Sequence, residues 1–144
     1  MRKIKGRNNK LFVASDVKEE EWTLYEPSEI IRNFIKVGKF SQTLLRHRKS
    51  TGLDNYVILN AHGSFSESGW FFEDGRRNLS VQNFINKYDG TCLAILLYVC
   101  NCNNAEIYSR RSAVIHSSKN FSELDLIRRR AGLRIYVPGR GYNK

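Results

Sequence analysis

No apolar run in this 144-residue chain approaches the roughly 18 residues that cross a bilayer as a helix, so a membrane is not an expected partner. The basic start Met1-Arg2-Lys3-Ile4-Lys5 is followed by no apolar core before Leu11-Phe12-Val13-Ala14, which is too short for a secretory signal. Cysteine is scarce and odd in number, at three, which excludes a fully paired disulfide framework and leaves at least one thiol free. Together these features place the chain, as an expectation, in the cytoplasm. Also missing are a Walker loop, a G-x-G-x-x-G turn and a G-x-S-x-G elbow, so nucleotide hydrolysis, dinucleotide binding and serine esterase chemistry lack support. There is no Cys-x2-Cys knuckle. Cys100-x-Cys102, joined by Cys92, His62 or His116, is a weaker zinc pattern, and neither a metal nor another cofactor is expected. No repeat, low-complexity tract or linker divides the chain.

What is present suits one folded domain. The length is enough to bury a core without staples, and 41% hydrophobic with 12% aromatic residues is a globular composition. Acids are outnumbered, 14 against 24 Lys and Arg, for a net charge of +10. The imbalance is uneven: six acids fall between Asp16 and Glu29, whereas the residues after Cys100 carry nine basic groups and three acidic ones. Such a balance favours an acidic partner, nucleic acid among them, but the basic residues form no stripe with interleaved aromatics, and a solvated surface is the simpler reading.

Two nearly continuous apolar runs, Tyr56–Ala61 and Cys92–Val99, read as strands covered on both faces. Between them Val81, Phe84, Ile85 and Tyr88 recur at helical spacing behind a capping Ser80. Strand, helix, strand forms a crossover unit that brings both strand C-termini to one edge of a parallel sheet, where open α/β sheets bind ligands. The first run leads into His62-Gly63 and the second into Cys100-Asn101.

In chain order, residues 1–9 are expected to be a flexible basic arm and 10–144 a single α/β domain. Lys10–Ser15 gives a short strand and Asp16–Trp22 an acidic surface loop. Pro27 opens a helix whose stripe is Ile30, Ile31, Phe34 and Ile35, stopping at Gly38; Phe40–Arg48 is a second helical piece. Ser64–Gly75 reads as a loop and small hairpin closing at Asp74-Gly75. Ser112–His116 is a strand, Ser122–Arg130 a helix with charges ordered to suit its dipole, and Leu133–Val137 the last strand. The order predicts a three-layer domain with a mostly parallel central sheet.

Ile58-Leu59-Asn60-Ala61-His62-Gly63 followed by Leu96-Leu97-Tyr98-Val99-Cys100-Asn101 resembles the His-Gly and strand-end Cys motifs of caspase-like cysteine peptidases, the clan of caspases, legumains, clostripains, gingipains and bacterial CHAT domains. The likeness covers roughly residues 10–138 through two short motifs. It implies a Rossmann-like sandwich, His62 as general acid/base, Cys100 as nucleophile and the amides of Gly63 and Cys100 as oxyanion donors. The chemistry suits those residue types. An imidazole helps to form a thiolate from a thiol of ordinary pKa about 8.5, and a glycine lets a substrate carbonyl approach the backbone. Two departures stand out. Many relatives carry an acid or Gln two residues before the Cys, where this chain has Tyr98; and the chain is compact beside members that add a segment, an oligomer interface or a partner domain.

The expected function is therefore a cysteine endopeptidase acting on a polypeptide through an acyl-enzyme. The alternative is a non-catalytic binding module whose basic C-terminal region contacts a protein partner or nucleic acid. Around the expected cleft, Asp16 with Glu19–Glu21 favours a basic substrate residue, while Arg110 and Arg111 favour an acidic one by bidentate recognition, the stronger single contact.

Overall fold

The computed structural model describes residues 1–6, 8–18, 27–117 and 132–142. The described elements are β1 (Arg2–Gly6), β2 (Asn9–Val13), α1 (Pro27–Gly38), α2 (Ser41–Thr51), β3 (Tyr56–Ala61), β4 (Gly63–Ser66), β5 (Gly69–Asp74), β6 (Arg77–Ser80), α3 (Val81–Tyr88), β7 (Ala94–Val99), β8 (Ala113–Ser117), β9 (Leu133–Val137) and β10 (Gly141–Tyr142). The helix expected at Ser122–Arg130 and the acids Glu19–Glu21 lie outside the described residues.

Seven strands form one sheet in the order β1-β2-β3-β7-β8-β9-β10, and β4-β5-β6 form a second, smaller one. The large sheet is mixed, which corrects the expectation of a mostly parallel one. Only its centre is parallel: β2 with β3, β3 with β7, and β7 with β8. Both flanks are antiparallel. For the outermost pair on each side the reason is local. Gly6 pairs with Asn9 and Val137 with Gly141, and turns that tight can join only antiparallel strands. The expected basic arm is also corrected. Residues 2–6 are an edge strand, Ile4 packs against the core and the Lys3 ammonium lies 5.7 Å from the centre of the Phe12 ring. Lysines on an edge strand keep the chain from pairing with itself while leaving the ladder intact.

The central strands read as continuous apolar runs because helices cover them on both sides. Phe34 of α1 packs on Tyr98 at 6.3 Å between ring centres, and Phe84 and Tyr88 of α3 pack on Phe12 at 5.8 and 5.1 Å. Phe12 is in register with Leu59, and Tyr98 with Asn60; neighbouring positions on β3 point to opposite faces, so α1 and α3 lie on opposite sides of the sheet. Ile58, Leu59, Ile95, Leu96, Leu97 and Ile115 are wholly buried, each such side chain contributing about 1.5–3 kcal/mol. α3 begins where the sequence signals it, with the Ser80 hydroxyl accepting from the Asn83 amide at 3.1 Å. α2 ends at Gly52, whose φ of 73° only glycine adopts freely and whose amide donates to the Arg48 carbonyl at 2.8 Å.

Candidate active site

β3 and β7 run side by side from Tyr56↔Ala94 to Ala61↔Val99 without a slip. The next residue on each strand is His62 and Cys100. Both therefore leave the sheet at the same end, on chains about 4.8 Å apart. His62 is exposed and Cys100 half-buried, so the pair faces solvent rather than the core. The run behind each is buried, apart from the half-buried Tyr98 of β7.

Four contacts tie the two strand ends together, two directly and two through β5. A Cβ on Gly63 would collide with the Cys100 carbonyl oxygen and lie 2.6 Å from Val99 Cγ1. Glycine is thus required here by the close approach of the Cys100 backbone, a different reason from access for a substrate carbonyl. Asn101, at φ 63°, donates from Nδ2 to the Gly63 carbonyl at 2.8 Å. The buried Trp70 of β5 donates its indole N–H to the Cys100 carbonyl at 2.9 Å. On the other strand the His62 carbonyl accepts from the Glu73 amide at 2.9 Å, so β5 grips both strand ends.

The three thiols differ in setting. Cys92 and Cys102 are buried, and burial pushes both above the ordinary thiol range, which makes them poor nucleophiles. Cys100 alone is not buried. His116, on β8, is a core histidine. Its Nδ1–H donates to the Ser117 carbonyl at 3.1 Å, which leaves Nε2 to accept from the Tyr142 hydroxyl at 2.8 Å. Burial, outweighing the Ser117 bond and helped by nearby Arg134, lowers His116 to about 4, and burial pushes Tyr142 up to about 12. The His116 ring lies 5.4 Å from that of Trp70 and 5.6 Å from that of Tyr142.

The other sequence-selected residues scatter. Asp16 follows β2 at the same sheet edge as His62, and its carboxylate accepts from the Gly75 amide at 3.4 Å, toward the β5–β6 turn. Tyr98 stands two residues before Cys100, half-buried against Phe34. Arg110 and Arg111 are a correction. They are not on the rim with His62 and Cys100 but at the opposite edge of the sheet, where β8 begins. Because β7 and β8 are parallel, the chain after Val99 must travel back along the sheet before β8 starts in register with Ala94. The turn that holds the two arginines is fixed there by Asp89, whose carboxylate accepts from the amides of Arg110, Arg111 and Ser112 at 2.6, 3.0 and 2.8 Å. The charge argument for an acidic substrate residue goes with them.

Sequence reasoning passed over Trp70 and Asn101. Trp70 was legible only as part of an aromatic strand; its indole N–H, which a buried Trp must satisfy, was the available signal. Asn101 sat in a polar turn, where Asn is the non-glycine residue that most readily takes a positive φ. Among the described residues no group of three or more His, Cys, Asp or Glu is placed to hold a metal ion, and no described helix is long and apolar enough to cross a membrane. Set against protein-family models, curated proteins and solved structures, the chain matches none of them.

Proposed function

We propose that this protein is a cysteine peptidase of the caspase-like kind, with Cys100 as nucleophile and His62 as general acid/base. The observation that carries the reading is the Ala61↔Val99 pairing, which brings His62 and the least buried of three thiols to adjacent strand ends. In this mechanism the Cys100 thiolate attacks the carbonyl carbon of a peptide bond, and its proton resides on His62. The tetrahedral oxyanion is met by the amides of Gly63 and Cys100. Collapse breaks the C–N bond as the imidazolium gives its proton to the leaving amine, which leaves a thioester on Cys100. His62 then takes a proton from water, whose oxygen attacks the thioester, and the acid product leaves as the thiol is restored. The same reading takes the mixed sheet and its covering helices as a caspase-like sandwich, a polypeptide as the substrate and the cytoplasm as the compartment.

The test is alkylation. Iodoacetamide at neutral pH, followed by peptide mapping, is expected to modify Cys100 at least tenfold faster than Cys92 or Cys102, and His62→Ala is expected to slow the Cys100 reaction. In a peptide-library assay Cys100→Ala is expected to abolish cleavage while the fold persists. Equal labelling of all three thiols, or cleavage that survives Cys100→Ala, defeats the proposal. The binding-module alternative keeps one specific support, the gathering of arginines at the far edge of the sheet.

A further inference from the structure

We infer that the N-terminal edge of the large sheet carries a second site, a pocket for a compact oligophosphate: a small ligand with two or three consecutive phosphate groups. It does not depend on the dyad. Strands of six residues separate the two edges by about 20 Å.

Three stretches remote in sequence converge there on a concavity of about 240 Å³. α2 contributes one helical face, with Arg46, His47 and Ser50 at i, i+1 and i+4 toward the cavity. The turn before β8 contributes Arg110 and Arg111, and the β9–β10 turn contributes Arg140. Four arginines thus line one small space and, among the described residues, no acidic side chain and no Phe, Tyr or Trp joins them in its walls. Among the described residues none of the four takes part in a salt bridge. The Asp89 carboxylate, beside the arginine turn, is engaged by the backbone amides of 110–112.

The arrangement is held in place rather than loosely scattered. His47 is buried, and its Nε2–H donates to the Arg111 carbonyl at 2.6 Å, which fastens α2 to the arginine turn. Asp89 fixes that turn from behind, and the Arg140 amide closes its own turn on the Val137 carbonyl at 2.9 Å. Backbone frames of this kind set four arginines around one concavity, where an anion would relieve their mutual repulsion. Guanidinium forks match phosphate oxygens two at a time, and arginine is the side chain suited to that geometry. The shape selects against a nucleic-acid strand. Single strands are bound along a groove with aromatic platforms for the bases, whereas these arginines surround one small concavity whose single ring, His47, is buried and engaged with the Arg111 carbonyl.

The experiment is calorimetric titration of the full chain with orthophosphate, pyrophosphate, tripolyphosphate, a nucleoside triphosphate and a single-stranded oligonucleotide of about 12 nucleotides, at a fixed 0.15 M salt. Tripolyphosphate is expected to bind one-to-one and at least tenfold more tightly than orthophosphate. Arg46→Ala combined with Arg111→Ala is expected to weaken it at least tenfold. Arg32→Ala combined with Lys36→Ala, which removes an equal charge from α1, is expected to change it less than twofold, and a thermal melt checks that each variant is folded. A nucleoside triphosphate that binds more tightly than tripolyphosphate identifies a nucleotide as the source of the phosphates; equal affinity identifies free polyphosphate. The proposal is overturned if no oligophosphate saturates the site, if the Arg46 and Arg111 changes leave a folded protein with unaltered affinity, or if the oligonucleotide binds more tightly than every small ligand.

Discussion

At the scale of single residues, Gly63 shows how little room the candidate site allows. A methyl group there has no free direction, since its position is taken by the Cys100 carbonyl and Val99. Backbone cannot yield as a long side chain can, so Gly63→Ala must push β3 and β7 apart at their ends. Overpacking of this kind costs about 1–3 kcal/mol. Urea unfolding of Gly63→Ala is expected to show that loss together with a changed rate of Cys100 alkylation. The neighbouring exposed Ser66→Ala is expected to stay within about 0.5 kcal/mol of the parent. A Gly63→Ala protein with parental stability and parental alkylation would mean that the strand ends are looser than their contacts indicate.

At the scale of elements, the small sheet is what joins the two strand ends. Its middle strand, β5, holds the His62 carbonyl through the Glu73 amide and the Cys100 carbonyl through Trp70. Trp70→Phe keeps an aromatic ring beside His116 but deletes the indole donor, leaving the Cys100 carbonyl without that bond. An expected loss of about 1–2 kcal/mol, read from the urea midpoint, should be accompanied by faster hydrogen exchange around residues 99–102. An unchanged midpoint and exchange pattern would remove Trp70 from any role in fixing the nucleophile's backbone. Elements of this kind also show what was legible in the sequence. β3 and β7 declared themselves because both faces are covered, and α3 because a serine cap precedes a clean apolar stripe. β1 did not, since an edge strand rich in lysine has the composition of a free arm. β6 did not either, because Leu79 is the one apolar residue in Arg77–Ser80. The polar face of α2 was invisible for a further reason: residues that line a charged cavity have the composition of residues that face water.

At the scale of the whole molecule, direction along the sheet decides what can cooperate. His62 and Cys100 were placed together from the sequence because two parallel strands, each a buried run, must end at one edge. Arg110 and Arg111 were misplaced because the return path between two parallel strands leaves no mark in composition. The same sheet also fixes how the fold responds to acid. His116 is buried on β8 between Trp70 of the small sheet and Tyr142 of β10, with Arg134 of β9 as the charged neighbour, so a proton on its ring gains no carboxylate partner among these groups. Its pKa is about 4 when folded, against 6.5 as the ordinary value. Between those values the unfolded chain binds the extra proton and the folded one does not. Stability is therefore full above about pH 6.5 and falls as pH drops toward 4, by about 2–3 kcal/mol at pH 4.5. Asp74 is not the cause in that window. Burial alone would raise it, but hydrogen bonds from the Ser15 hydroxyl and amide hold it below the usual carboxylate range, so its contribution is lost only in stronger acid. His116→Gln removes the titrating ring while keeping a polar group for Tyr142. Its urea midpoint is expected to be lower than the parent's at pH 7.5, yet to change much less between pH 7.5 and 4.5. An equally steep acid loss in His116→Gln would transfer the effect to other groups and show that the His116 ring can be protonated in place.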